Sequence, residues 1–198
     1  SSGICYLRKY TGSSANVTLP ATVQIKGKTY TVALGASTQT SGPFQNNKNI
    51  ASINIPVGMN VENGDASYLF YNCSKLLSVN NTPANATNAA YIFYGDGNLS
   101  GTIAFPSDNV ATATQAFYGI KNTLLLACTS GSLTEKTLLA ELASEKNASV
   151  KINGKSYSDS DVKKDTEVIT KKEITDFDAS FNDTAKTVIL TKYKGSSP

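Results

Sequence analysis

The chain has 198 residues, 40% of them hydrophobic and 17% charged, with a formal net charge of +3 and no histidine. That length and apolar share can bury one core, or one core and a cap, and the small charge excludes the basic stripe of a nucleic-acid reader. Without histidine the chain lacks the usual general base, the Ser-His-Asp and Cys-His arrangements and the commonest metal ligand, and no apolar run nears the ~18 residues of a membrane span.

Asn, Ser and Thr are abundant, a surface chemistry common on proteins that work outside the cell, and no charged-then-apolar leader opens the chain. From the amino terminus, "NVTLP" ends at Pro20 and runs on to Phe44, reading as an atypical first unit with an insertion. Phe44, Phe70, Phe93 and Phe117 then follow at intervals of 26, 23 and 24 residues, inside the roughly 20–29-residue period of leucine-rich repeat arrays. Six positions after each Phe stand Ile50, Leu76 and Leu99; the fourth copy has Thr123 there with Leu124 behind it. Apolar-alternating stretches follow, "IASINIP", "LLSVNNTP" and "LSGTIAFP", each stopped by a proline, Pro56, Pro83 or Pro106. Between Phe and Leu the segments "QNNKN", "YNCSK", "YGDGN" and "YGIKN" carry turn residues and read as corners.

One such unit has an apolar edge that it cannot bury alone, and stacking at least about three units buries it. The stretch "IPVGMNVENGDASYLFYNCSKLLSV" resembles the repeat of the BspA-like leucine-rich repeat surface proteins of bacteria, with Leu69–Phe70, Cys73 and Leu76 filling the family pattern. Asp96 and Ile120 stand where that pattern has Cys73. "CYLRKYTGSSANVTLPATVQIKGKTYTV" resembles the family's amino-terminal coil, in which a hairpin leads into the first proline. The resemblance covers residues 1 to about 131. It implies a β-rich, right-handed leucine-rich repeat solenoid with short strands and mostly irregular return segments, and adhesion or host-surface recognition as the role.

Residues 132–198 carry no such match. "SLTEKTLLAELASEKNA" predicts a helix, with a capping box from Ser132 to Glu135 and Leu138, Leu139 and Leu142 at helical spacing. Asn153–Gly154 within "VKINGKSY" predicts a hairpin, and "DFDASFNDTAKTVILTKY" predicts a second one turning at Asn182–Asp183. This block reads as a carboxy-terminal helix and β-hairpin cap on the solenoid, or as a small β module; the domains are then 1–131, with 1–44 atypical and 44–131 repeats, and 132–198. The closing "KGSSP" reads as a linker, so a longer protein is expected.

The chemistry is sparse. Three cysteines allow one disulfide at most, and Cys73 and Cys128, beside apolar neighbours, read as small buried hydrophobes. The acid pairs Asp159 with Asp161 and Asp176 with Asp178 read as surface acids among Lys163, Lys164, Asp165, Glu167, Lys171, Lys172 and Glu173. "DFDASFND" spaces Asp176, Asp178, Ser180 and Asn182 like a calcium loop, but Phe181 and Thr187 occupy the positions that need Gly and Glu. "GKS" at Gly154–Ser156 lacks the Gly and the helix of a phosphate loop. The Asn-x-Ser/Thr triplets starting at Asn16, Asn72, Asn80, Asn85, Asn98, Asn147 and Asn182 read as products of composition. No enzyme, metal or cofactor is expected.

Surface for binding remains. If Ile53, Val79 and Ile103 point inward, alternation turns Ser52, Asn54, Ser78, Asn80 and Thr102 outward on a shared sheet face. Tyr71, Tyr94 and Tyr118, each directly after a repeat Phe, offer an aromatic stripe suited to sugars or proteins, unless the rings only pack between neighbouring coils. The expected function is a non-catalytic extracellular or cell-surface binding module, recognising a host or bacterial surface protein or a glycan, with no nucleic acid and no membrane insertion. The alternative is a structural spacer in a longer surface protein.

Overall fold

Prolines that stop the strands and Asn or Gly corners return the chain to its starting edge once per repeat, so each strand can pair with its counterpart one repeat later. The computed structural model describes residues 3–159 and the backbone of 177–182 and 187–193. Two compact units divide the chain, Ser1–Ser158 and Asp159–Pro198.

In the first unit β1 (Ile4–Leu7), β2 (Asn16–Thr18), β3 (Thr22–Ile25) and β4 (Lys28–Leu34) precede the Phe repeats, which carry β5 (Ser52–Asn54), β6 (Ser78–Val79), β7 (Gly101–Phe105) and β8 (Leu124–Cys128). A helix, α1 (Leu133–Glu145), and β9 (Val150–Ile152) follow. Strands β2, β5 and β6 form one parallel ladder and β7, β8 and β9 another, joined by the parallel bridge of Asn81 with Ala104. Val17 stands opposite Ile53, and Ile53 opposite Val79, so β2 is the strand of a unit that precedes the four Phe repeats.

The insertion after β2 is an antiparallel hairpin of β3 and β4, turning at Lys26–Gly27 with φ of 48° and 73°. Two successive positive φ values match the twist of the strands that the turn joins. This corrects the hairpin that the resemblance placed before the first proline. It follows Pro20, and β1 pairs with β4 in parallel instead of turning into β2.

The inner ladders are those that the repeats predict. Phe44, Phe70, Phe93 and Phe117 are buried, as are Ile50, Leu76, Leu99 and, in the fourth copy, Leu124. Phe70 stacks on Phe44 at 5.8 Å and on Phe93 at 5.6 Å between ring centroids, and Phe105 meets Phe93 edge-on at 6.3 Å. Each buried ring contributes about 1.5–3 kcal/mol, which one repeat alone could not secure.

The corners have a stereochemical cause. Two residues after each Phe, at Asn46, Asn72, Gly95 and Gly119, the backbone is left-handed, the region that Asn and Gly enter most readily. A second left-handed residue precedes the Phe at Tyr68, Tyr91 and Gln115. The return segments then send alternate N–H groups to the next repeat, with Tyr68, Phe70 and Asn72 donating to the carbonyls of Ala90, Ile92 and Tyr94. Tyr91, Phe93 and Gly95 donate likewise to Thr114, Ala116 and Tyr118.

The predicted helix is present. Ser132 Oγ accepts the Glu135 N–H at 3.1 Å, and the Glu135 carboxylate reaches back to the Gly131 N–H at 2.7 Å. Leu138, Leu139 and Leu142 are buried. The Asn153–Gly154 turn also forms, with both residues at positive φ, but its hairpin is corrected to a single bridge of Ile152 with Lys155. Strand β9 spends its length on parallel pairing with β8, which sets Val150 and Ile152 beside Leu124 and Leu126, all four buried. A longer hairpin would leave those side chains without that cover.

In the second unit β10 (Phe177–Asn182) and β11 (Thr187–Tyr193) pair antiparallel, with a register shift between Asp178 and Ala179. Asp183, in the expected turn, lies outside the described residues, as do Asp161, Lys163, Lys164, Asp165, Glu167, Lys171, Lys172, Glu173, Asp176 and the closing "KGSSP".

Candidate binding surface

The strand face carries the predicted polar row only in part. Ile53, Val79 and Ile103 are buried, and Asn54, Ser78, Asn80 and Thr102 are exposed, with Ser52 half-buried. Ser52 and Ser78 stand in register, and Asn80 Nδ2 donates to Asn54 Oδ1 at 2.6 Å. Thr102 belongs to the second ladder, opposite Leu125. The bridge of Asn81 with Ala104 sets Thr102 level with the inward Val79, so the outward row is broken between the second and third repeats.

Asn80 is also committed internally. Its Oδ1 accepts the Ile55 N–H at 2.7 Å, and its Nδ2 donates to the Ile55 carbonyl at 3.0 Å, replacing a backbone partner for the preceding repeat. Asn85 clasps the Val61 backbone in the same way, at 2.8 and 3.0 Å. The Asn98 and Asn122 amides donate to the carbonyls of Ser74 and Asn98. Asn147 donates to those of Phe117 and Ile120. Asparagine is therefore abundant here for an internal reason, and Asn80, Asn85, Asn98 and Asn147, all in glycosylation-type triplets, hold repeats together. Replacing Asn80 by alanine should cost about 1 kcal/mol, since water can reach part of the freed backbone; urea unfolding monitored by circular dichroism checks this.

The tyrosine stripe forms, and it is wider than the sequence reading had it. Tyr71 stacks on Tyr94 at 5.1 Å and Tyr94 on Tyr118 at 4.7 Å. A second column, Tyr68 on Tyr91 at 4.7 Å, stands beside it, with Tyr68 meeting Tyr71 edge-on at 5.4 Å and Tyr91 tilted to Tyr94 at 5.9 Å. The signal for Tyr68 and Tyr91 was present in "YLFY" and "YIFY", since both precede the repeat Phe by two. Left-handed backbone at these two tyrosines costs roughly 1–2 kcal/mol each, offset by their forward hydrogen bonds and stacked rings.

The rings thus pack between neighbouring repeats and also border solvent. Tyr68, Tyr71, Tyr91 and Tyr94 are half-buried and Tyr118, at the end of its column, is 55% exposed. Stacking covers ring faces, so the wall presents ring edges and hydroxyls; the Tyr71 hydroxyl accepts Gln39 Nε2 at 3.0 Å. Burial first, then the neighbouring tyrosines, pushes the Tyr68 and Tyr94 hydroxyls above the ordinary phenol range, which keeps them as neutral donors.

Behind the corners lie Cys73 and Asp96, both shut off from solvent. The Cys73 thiol donates to the Phe44 carbonyl at 3.1 Å, and burial pushes it up to about 12. Asp96 Oδ1 accepts the Cys73 N–H at 2.7 Å, while Oδ2 has no partner, and burial raises this carboxyl well above its usual range. Cys73 is the small buried group expected of it. Cys128 is corrected to half-buried, because β9 pairs with β8 only as far as Leu126 and leaves the end of β8 uncovered. Cys5, Cys73 and Cys128 are all free thiols.

Among the described residues no three His, Cys, Asp or Glu side chains gather as a metal set, and no helix is long and apolar enough to cross a membrane. No family model matches the chain, and no curated protein matches it. Among solved structures it is similar to the crystal structure of a leucine-rich repeat protein from Bacteroides ovatus ATCC 8483, at 22% identity and a TM-score of 0.46. That similarity covers 64% of this chain and 30% of the other, so the chain spans under a third of that protein's length.

Proposed function

We propose that the chain is a leucine-rich repeat solenoid of the BspA-like kind, acting as a non-catalytic binding and adhesion module outside a bacterial cell, with a protein or glycan as partner. The observation that carries this reading is the wall of five tyrosines, Tyr68, Tyr71, Tyr91, Tyr94 and Tyr118, built on successive repeats and bordered by solvent. Tyrosine supplies large contact area at low conformational-entropy cost, and a repeated hydroxyl row supplies directional polar contacts. The strand face, with Ser52, Asn54, Ser78 and Thr102, is the second surface of such a module.

The test is binding of the purified chain to matrix proteins, mucins and glycans, alongside Tyr118→Ala and Asn54→Lys. Tyr118 is the most exposed ring of the wall, so its removal should lower stability by only about 0.5–1.5 kcal/mol, the scale of its one stacked pair with Tyr94, while weakening partner binding at least tenfold. Binding lost in Asn54→Lys alone would move the site to the strand face. No binding at all would favour the spacer. Asn80 is unsuited to this test because its amide holds the Ile55 backbone.

A further inference from the structure

In the repeats, alternate N–H groups of each return segment find carbonyls in the next one. The fourth repeat has no next one, and α1 takes that place. Glu141 Oε1 accepts the Gln115 N–H at 2.7 Å, and Glu145 Oε1 accepts the Phe117 N–H at 3.0 Å. Gln115 and Phe117 correspond to Tyr91 and Phe93, whose N–H groups bond Thr114 and Ala116. Thr134 Oγ1, near the start of the same helix, accepts the Val110 N–H at 3.0 Å. A helix residue and its fourth successor share a face, so the helical repeat brings two carboxylates to two N–H groups that are themselves two residues apart.

The arrangement sets like charges side by side. No cation offsets them: residues 111–120 hold no charged side chain, and neither carboxylate makes an ion pair among the described residues. From the repeat the Gln115 and Phe117 N–H groups meet the pair, and Asn147, just after α1, donates its amide to the carbonyls of Phe117 and Ile120. Within the helix region the remaining charges are Glu135, tied to Gly131, Asn153 and Lys155, and Lys136 and Lys146, which bond neither carboxylate.

We propose that α1 is a pH-dependent plug on the open end of the repeat ladder, held tightest while the Glu145 carboxyl is neutral and loosened when it ionises. Burial, opposed by the Phe117 hydrogen bond and reinforced by Glu141, raises the Glu145 carboxyl to about 7. A raised folded-state value means that the stabilisation is fully present below the ordinary carboxylate range and is lost as pH rises through about 7. Loosening would bare the Gln115 and Phe117 N–H groups, the edge on which a further repeat would otherwise pair.

The measurement is amide hydrogen exchange of Gln115 and Phe117, corrected for intrinsic rate, at about pH 5.5 and about pH 8.5, in the wild type and in E145Q, which keeps an acceptor without the charge. The wild type should lose about tenfold in protection at these two amides between the two conditions, and E145Q should not. The wild-type melting temperature should also fall by about 2–4 °C more than that of E145Q over the same span. Equal protection at both pH values in the wild type, or an equal loss in E145Q, would overturn the proposal. Protection at Tyr91 and Phe93, paired inside the ladder, serves as the internal control and should not follow Glu145.

Discussion

Phe93→Ala should lower stability by about 3–5 kcal/mol. Phe93 has no exposure and is touched on both sides, by Phe70 at 5.6 Å and by Phe105 at 6.3 Å. Its removal deletes the transfer free energy of the ring and leaves a cavity between repeats whose backbones are pinned by the Phe93 N–H to Ala116 and the Phe70 N–H to Ile92. A pinned backbone collapses poorly, which places the cost at the upper part of the usual range. Phe44→Ala should cost less, because Phe44 has Phe70 on one side and only the tilted Tyr10, at 6.5 Å, on the other. Chemical denaturation of the two variants checks both size and order; equal losses would mean that the central ring has no special role.

Asp96→Asn should stabilise the protein at alkaline pH by about 1–3 kcal/mol, the scale of an unsatisfied buried polar group, and the gain should shrink to about zero below the ordinary carboxylate range. Asn keeps the oxygen that accepts the Cys73 N–H. It removes the charge that burial forbids. Since burial raises the Asp96 carboxyl, its favourable contribution is present below the unfolded-state value and lost as pH rises through the folded one. Asn lacks that titration, so the two proteins diverge with rising pH. Paired denaturation curves at acidic and alkaline pH decide it: a difference that does not change with pH would show that Asp96 is not titrating inside the fold. Asp96 and Glu145 act in the same direction, which is why the plug needs a local readout at Gln115 and Phe117 as well as a melting curve.

Much of the unit fold was legible from spacing. The Phe intervals, the Leu or Ile six residues on, and the closing prolines located the buried ladders at Phe44, Phe70, Phe93 and Phe117 and the strands that pair in parallel. The shift from Thr123 to Leu124 was also correct, since Leu124 is buried and Thr123 exposed. The Ser132–Glu135 capping box marked the helix start because capping depends on neighbours three residues apart. The corners drew Asn and Gly because a left-handed residue is required two positions after each Phe.

The polar contacts across repeats were not legible, and these decide what each surface is. The amides of Asn80 and Asn85 join backbone groups about one repeat earlier, and Glu141 and Glu145 reach N–H groups that precede them by 26 and 28 residues. Whether an exposed Asn is a ligand contact or a clasp, and whether a helical acid is solvated or a plug, depends on register between repeats of unequal length. Thr102 shows the same dependence, set level with Val79 by the bridge of Asn81 with Ala104. The repeat, its buried faces and its corners can all be read along the chain, because each follows from spacing and local stereochemistry within one unit. Where the amides, carboxylates and tyrosine rings meet is set by the stacking of the folded chain, because those contacts exist only once one repeat lies on the next.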